Sequence, residues 1–271
     1  MKRLIFTLVA ITLGVVSANA EEIEKIYDFG DIKEINASYN YQINVTYGKS
    51  GKVKVVFDKD IEKELDIRYS SQNKSIVMKR NSQKQYANIN NEPIQVYLEM
   101  DEITTISISG ASKAVFDGKF KAEDLEVELS GASSISDLLV NGKKLKANCS
   151  GASKASISGN FTDEVELDLS GAVKLEYSGN SDILDADLSG ASRLNCNGNF
   201  STCTIVCTGA SNAEISGNGT QADFECTGAS SIDAKEFIVK TAEVELTGAS
   251  KAKVYATDNL YHNVTRASKM T

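Results

Sequence analysis

The sequence predicts an all-β protein, mainly a right-handed parallel β-helix (β-solenoid) with rungs of about 20 residues and an N-terminal β-rich cap. A Ser/Thr-Gly-Ala phrase, usually completed by Ser, recurs eight times at spacings of 19 to 21 residues. Apolar and charged side chains alternate on both sides of the phrase, as in strands with one buried face. A unit this short cannot bury its own apolar face, so its copies must stack. The preferred hand of crossovers between parallel strands favours a right-handed coil.

Residues 1–20 have the features of a signal peptide. A basic start at Lys2 and Arg3 precedes an apolar run over residues 4–16, and small residues follow at 18–20. The apolar run is too short to span a bilayer, and no later stretch reaches the roughly 20 apolar residues of a membrane helix. We therefore expect an exported protein without a membrane span, in the periplasm, on the cell surface or outside the cell.

Residues 21–103 lack the glycine phrase but contain alternating strands. One run places Tyr41, Ile43, Val45 and Tyr47 on the same side of a strand. The open end of a solenoid exposes unpaired backbone and core, and repeat proteins cover such ends with an atypical unit. We interpret this segment as a cap that continues into the solenoid without a linker.

Residues 104–271 are expected to form the solenoid. Each rung should contain a strand, a tight corner at the repeated glycine, a second strand and a second corner. Glycine suits such corners because positive φ causes it no steric strain. The corner glycines are Gly110, Gly131, Gly151, Gly171, Gly190, Gly209, Gly228 and Gly248.

Side-chain direction within each rung follows from a period of two. Positions two, four and six before the corner glycine, and four and six after it, are nearly all apolar and are predicted to face the core. They include Thr104 in the first rung and Val254 in the last. All five cysteines occupy such positions, which favours buried free thiols. Cys207 and Cys226 would be vertical neighbours, so a disulfide between them is the alternative.

Acidic residues alternate with the core positions and are predicted to form patches on adjacent rungs. Stacked carboxylates repel each other, and a bridging divalent cation would relieve the repulsion, so calcium is one interpretation. A solvated acidic wall is the other interpretation, and it is the favoured one. The residues are Glu166, Asp168, Asp185 and Asp187 in one patch, and Asp223, Glu225, Glu243 and Glu245 in the other.

Hydroxyl residues form another column just before the corner glycines, from Ser109 to Thr247. Their favoured role is hydrogen bonding to the local turn backbone. The alternative is a regular hydroxyl array for binding carbohydrate or ice.

Three features together resemble one family: the signal peptide, the segments Tyr27-Asp28-Phe29 and Tyr41-Gln42-Ile43-Asn44-Val45, and the tandem Ser-Gly-Ala-Ser rungs. The family is the putative auto-transporter adhesin head domain, also called the GIN domain. The resemblance covers essentially the whole mature chain. It implies an exported protein of Gram-negative bacteria with a right-handed β-helical fold and an adhesin role.

The composition contains little that indicates catalysis. The chain has one histidine, His262, and no tryptophan, and its net charge of −8 argues against nucleic acid as a partner. We therefore expect no enzyme activity but a binding or adhesin-like scaffold that presents a rigid surface to a glycan or a cell-envelope protein. The alternatives are a carbohydrate-active β-helix enzyme, a lyase or glycosidase, and a structural envelope component that self-associates through its C-terminal end.

Overall fold

The computed structural model describes residues 22–81, 92–265 and 267–271, so the predicted signal peptide lies outside the described residues. The chain is 72% strand and 3% helix and forms a β-solenoid of about 8 turns with rungs about 20 residues apart. The predicted fold class is therefore confirmed. No helix in the described ranges is long and apolar enough to cross a membrane.

In the described ranges, seven strands and one 3-10 helix lie before the first glycine phrase. They are β1 (Glu22–Asp28), β2 (Glu34–Tyr39), β3 (Tyr41–Tyr47), β4 (Lys52–Asp58), the 3-10 helix (Lys59–Glu64), β5 (Leu65–Ser70), β6 (Ser75–Arg80) and β7 (Ile94–Met100).

The strands of the repeats form one continuous stack. They are β8 (Thr105–Gly110), β9 (Lys113–Asp117), β10 (Lys119–Lys121), β11 (Asp124–Leu129), β12 (Ser134–Cys149), β13 (Lys154–Ser158), β14 (Phe161–Leu169), β15 (Lys174–Ser178), β16 (Ser181–Leu188), β17 (Arg193–Cys207), β18 (Asn212–Cys226), β19 (Ser231–Leu246), β20 (Lys251–Val264) and β21 (Lys269–Met270).

Each repeat strand pairs in parallel with its equivalent one rung away. Between β14 and β16 the register is unbroken from Glu164 opposite Ile183 to Leu169 opposite Leu188. The same phase continues from β16 to β17 and from β17 to β18. Equivalent side chains therefore lie directly over one another, about 4.8 Å apart.

The core runs along the axis of this stack and is made by the predicted inward columns. Nearly all of these side chains are buried, including all five cysteines. Two positions differ from the prediction. Thr104 is only half-buried, because Ile103 fills the core beside it, and Val254 is half-buried because it lies in the last full rung.

Parallel stacking already begins within residues 21–103. Strands β2 and β3 pair in parallel with β8 and β9, and on their other side they pair in parallel with β6 and β7. These two rungs lack the glycine phrase. In the rung of β2 and β3, Tyr39 occupies the corner with a φ of 124°. Strands β1, β4 and β5 then extend the sheets with antiparallel pairings. Tyr47, which the alternation placed on the buried side of β3, is 50% exposed.

The two ends of the solenoid are finished differently. At the N-terminal end Phe57 and Ile61 are buried, and Lys25 pairs with Glu62 of the 3-10 helix at 2.7 Å. At the other end Leu260 and Val264 occupy inward columns but are 40% and 37% exposed. Most of the outer edge of β20 pairs with no strand in the described ranges, since β21 covers only its first two residues.

Candidate functional site

The corner glycines bring successive rungs into close backbone contact. All eight have positive φ, between 71° and 91°. A Cβ atom on Gly190 would lie 2.7 Å from the carbonyl oxygen of Gly171 in the preceding rung. This contact recurs at each of the eight glycine corners, so a side chain at any of them would collide with the backbone of the preceding rung.

The serine that completes the glycine phrase is buried, although the alternation of apolar residues did not predict it to face the core. Ser230 donates hydrogen bonds to the carbonyl oxygens of Cys207, at 2.9 Å, and Thr227, at 3.0 Å. The hydroxyls of Ser133 and Ser153 have no partner among the described residues, and Val173 occupies the next position in the column. The column therefore accepts a hydroxyl or a methyl group.

The hydroxyl column before the glycines bonds across rungs. Ser150 donates to the carbonyl oxygen of Leu129, and Thr208 to that of Leu188, both at 3.3 Å. The local turn was the expected partner. The parallel stack instead places a carbonyl of the preceding rung within reach of these hydroxyls, which helps to fix the register between corners.

A second column of side chains forms an asparagine ladder at the opposite corner. The side-chain oxygen of Asn160 accepts from the backbone N–H of Asn180 at 3.0 Å and from its side-chain amide at 2.8 Å. Asn199 makes the same two bonds to Asn180, and Asn218 continues the ladder to Asn199. The ladder starts at Asn141, which accepts from the backbone N–H of Asn160. The sequence signal was an asparagine at nearly constant spacing beside the second-corner glycines.

The predicted acidic patches form on the sheet before the corner. Asp185 lies beside Glu166, and Asp187 beside Asp168, on adjacent rungs. In the second patch Asp223 lies beside Glu243, and Glu225 beside Glu245. The rung between the two patches carries Thr204 and Val206, so the patches are separate.

The first patch combines partial burial with like charges. Burial, followed by the charge of Glu166, raises the pKa of Asp168. Burial, followed by the charges of Asp187 and Glu166, raises the pKa of Asp185. Lys146 offsets part of this repulsion through an ion pair with Glu166 at 2.5 Å.

The structure gives no metal-ligand cluster at these patches. Within the described ranges no group of three or more His, Cys, Asp or Glu side chains is arranged to hold a metal ion. The calcium hypothesis stays a prediction: calcium should raise the melting temperature. Equal melting temperatures with calcium and with EDTA would remove it.

A polar groove lies on the sheet that follows the corner, across β13, β15, β17 and β18. Its volume is about 460 Å³. One side is bounded by a bulge in β19, where the register to β18 shifts and Lys235 and Glu236 project into the groove. Its polar lining is Ser156, Ser158, Glu176, Ser178, Asn195, Asn197, Glu214, Ser216, Asp233, Lys235 and Glu236.

The charges in the groove are partly paired. Glu176 pairs with Lys174, and Asp233 pairs with Lys253, both at 2.6 Å. The Lys253 hydrogen bond lowers the pKa of Asp233. Asn195 lies directly between Glu176 and Glu214 on adjacent rungs. The floor therefore offers carboxylate, amide and hydroxyl groups in a regular grid.

His262 lies in the last full rung, in register with the core residue Val244. Its side chain is exposed because no rung in the described ranges covers this position. The structure places it at an inward position of the open end.

Similar folds occur in solved structures. A crystal structure described as a putative adhesin from Parabacteroides merdae has a TM-score of 0.63 at 12% identity, with 95% of this chain and 98% of that chain covered. One described as a putative adhesin from Parabacteroides distasonis has a TM-score of 0.63 at 13% identity, with 90% and 98% covered. Another from that organism, described as a putative lipid binding protein, has a TM-score of 0.63 at 13% identity, with 93% and 96% covered. At these identities the likeness shows the fold alone.

Family membership rests on the sequence match. No curated protein matches the chain. Residues 31–164 and 160–271 match the family described as putative auto-transporter adhesin, head GIN domain. These ranges cover almost the whole described chain and include both the groove and the corner columns. The protein therefore belongs to the putative auto-transporter adhesin, head GIN domain family.

Proposed function

We propose that the protein is a non-enzymatic, exported, adhesin-like scaffold that binds a cell-surface or envelope glycan in the polar groove. The family and the names of the structural neighbours support an adhesin-like binding role at the cell surface. The groove is the observation that carries the choice of ligand. Its floor belongs to four consecutive rungs, so its shape is fixed by the backbone rather than by mobile loops.

The side chains of the groove suit a polyhydroxylated ligand. Serine hydroxyls and asparagine amides both donate and accept hydrogen bonds, and carboxylates accept them. They repeat about every 4.8 Å along the axis. An extended oligosaccharide presents hydroxyl groups at regular intervals, so it can bond to successive rungs.

The charge of the groove restricts which sugars can bind in it. Three of its four carboxylates, Glu176, Asp233 and Glu236, pair with lysines, which leaves Glu214 as the carboxylate without an ion pair among the described residues. Acidic sugars would be repelled by this surplus of negative charge. Neutral or amine-bearing glycans are the expected ligands.

A glycan array tests this proposal. The full mature chain is compared with a Ser178→Arg/Ser216→Arg variant, in which two long side chains occupy the groove floor. A Thr204→Arg/Thr202→Arg variant places the same charges on the sheet before the corner and serves as the control. We expect neutral glycans to bind the mature chain and the control but not the groove variant. An array without any bound glycan, or equal binding by both variants, contradicts the proposal.

Two further measurements define the activity and the compartment. Incubation with envelope and host polysaccharides should produce no new reducing or unsaturated ends, since we propose no enzyme activity. Fractionation of the producing cell should place the protein in the periplasm, on the surface or in the medium. Because one neighbour of similar fold is described as lipid binding, neutral phospholipid vesicles form a second arm, in which we expect no binding.

A second candidate is assembly through the C-terminal end. The exposed edge of β20 carries Leu260, Tyr261 and Val264, whereas the opposite end is covered by the antiparallel strands and the 3-10 helix. With one open end, we propose a two-fold pair of chains rather than a filament. Light scattering should give a mass that rises with concentration to twice the monomer, and Leu260→Asp should abolish the rise. A concentration-independent monomer mass contradicts this candidate.

A further inference from the structure

Two of the five cysteines are direct neighbours in the stack. Cys207 of β17 lies in register with Cys226 of β18. Both side chains point into the core in the column two residues before the corner glycine, and both are fully buried. The solenoid thus brings together two thiols that are 19 residues apart in the sequence.

The other three cysteines have no cysteine neighbour in register. Cys149 lies between Leu129 and Leu169. Cys196 lies between Tyr177 and Ile215, and Cys203 between Leu184 and Ala222, as the registers of β15 to β18 show. The chain therefore contains one in-register cysteine pair, and the other three cysteines serve as internal controls.

The spacing of the pair suits a covalent link. Parallel neighbours in a sheet are about 4.8 Å apart. Disulfides join residues whose Cα atoms are about 4.4 to 6.8 Å apart. Each thiol is the largest influence on the pKa of the other, as expected of neighbouring sulfur atoms.

We infer that Cys207 and Cys226 are an oxidation site, at which a small disulfide oxidant converts the two thiols into a disulfide between adjacent rungs. With glutathione disulfide, one thiolate attacks the oxidant and releases one reduced glutathione. The second cysteine attacks the mixed disulfide and releases another. Two protein thiols are oxidised, one glutathione disulfide is reduced, and the two thiol protons leave on the two glutathione molecules.

The folded environment sets when the reaction occurs. The interaction with Cys226, followed by burial, raises the pKa of the Cys207 thiol, whereas the interaction with Cys207 lowers the pKa of the Cys226 thiol. Burial also excludes the oxidant from both sulfur atoms. Because the closed core shields both sulfur atoms from the oxidant, the reaction occurs during folding or during transient opening of these rungs rather than in the closed structure.

Counting thiols tests the inference. The mature chain is unfolded, then refolded with a mixture of reduced and oxidised glutathione or with reductant alone, and finally alkylated in denaturant. Intact mass should show three alkylated thiols of the five after oxidative refolding, and five after reductive refolding. Peptide mapping should place the link between Cys207 and Cys226. The oxidised form should melt at a higher temperature, and dithiothreitol should remove the difference.

Matched variants identify the pair. Cys207→Ala should show the same number of alkylated thiols under both conditions. Cys203→Ala should still lose two thiols on oxidation, because its neighbours are not cysteines. Five alkylated thiols in the oxidatively refolded mature chain, or a link between other cysteines, overturns the inference. The number of alkylated thiols in the unaltered mature chain tests the inference even if a variant fails to fold.

Discussion

At the scale of single residues, contacts between rungs select the amino acids in each column. The buried serines show how far the sequence predicts this. Alternation of apolar residues located the core columns, but Ser112, Ser211 and Ser230 are polar and were not assigned to them. Their hydroxyls are satisfied by backbone groups that belong mostly to other rungs. A residue whose partner is 23 or more positions away cannot be located from local pattern alone.

Substitution of a corner glycine separates backbone strain from crowding. Gly190 and Gly30 have similar φ values, 71° and 76°, but a Cβ on Gly30 meets nothing within 4 Å. We expect Gly30→Ala to lower the free energy of unfolding by about 1 kcal/mol through strain alone. Gly190→Ala should lower the free energy of unfolding by about 1–3 kcal/mol more, because its methyl group collides with Gly171.

Urea unfolding of both variants measures the difference. The comparison is matched because both substitutions add one methyl group at positive φ. Equal losses of stability for the two variants would contradict the close contact between corners.

Neutralising Asp185 tests the electrostatics of the first acidic patch. Its pKa in the folded protein is raised above the ordinary 3.8, so the folded state binds the proton more tightly than the unfolded chain. The raised pKa of Asp185 therefore stabilises the folded state at pH values below the ordinary pKa. This stabilisation is lost as the pH rises through the pKa that Asp185 has in the folded protein. Asp185→Asn should therefore raise the melting temperature at neutral pH and have little effect in acid.

The control for that prediction is Asp182→Asn. This change removes the same charge from the same strand, at an exposed position outside the patch. Thermal melts over a pH series compare the two variants. A gain for Asp185→Asn that is equally large in acid would show that charge repulsion is not its cause.

At the scale of the elements, strand existence was more predictable than strand placement. The alternation in residues 41–47 predicted a strand, but neither β2 nor the rung that β2 and β3 form under β8 and β9. The corner at Tyr39 carries no glycine, so the phrase that identified the other rungs is missing there. The groove was not predicted either, because its wall depends on the register shift between β18 and β19.

The asparagine ladder is expected to stabilise the second corners as a unit. Asn180→Ala removes the side chain that accepts two bonds from Asn199 and donates one to Asn160. Asn218 at the end of the ladder donates only one side-chain bond, to Asn199. With about 1 kcal/mol per hydrogen bond, Asn180→Ala should destabilise the protein by more than Asn218→Ala.

Chemical denaturation of the two alanine variants gives this ranking. Both substitutions shorten an exposed asparagine at equivalent positions two rungs apart, so they are matched in type and exposure. A larger loss of stability for Asn218→Ala than for Asn180→Ala would mean that the internal hydrogen bonds of the ladder do not stabilise the protein.

At the scale of the whole molecule, stability should decrease towards the open end. Repeat stacks are stabilised by nearest-neighbour contacts, so a rung with one neighbour opens more easily than a rung with two. β14 pairs on both sides, with β12 and β16, whereas most of β20 pairs only with β19. We expect amide hydrogens of β20 to exchange faster than those of β14.

Hydrogen exchange followed by mass spectrometry checks this gradient. Peptides from the two strands are compared at low and high protein concentration. Slow exchange in β20 at low concentration would contradict the prediction. Protection of β20 that develops only at high concentration would instead support assembly through this end.

The matching backbone phase of successive rungs has an evolutionary consequence. Because β16 and β17 repeat the pairing of β14 and β16 with no change of phase, a gene duplication of one rung would insert cleanly between two existing ones. Each added copy would extend the molecule by about 4.8 Å. Natural relatives can therefore differ in reach by whole rungs, while the chemistry displayed along each wall is preserved.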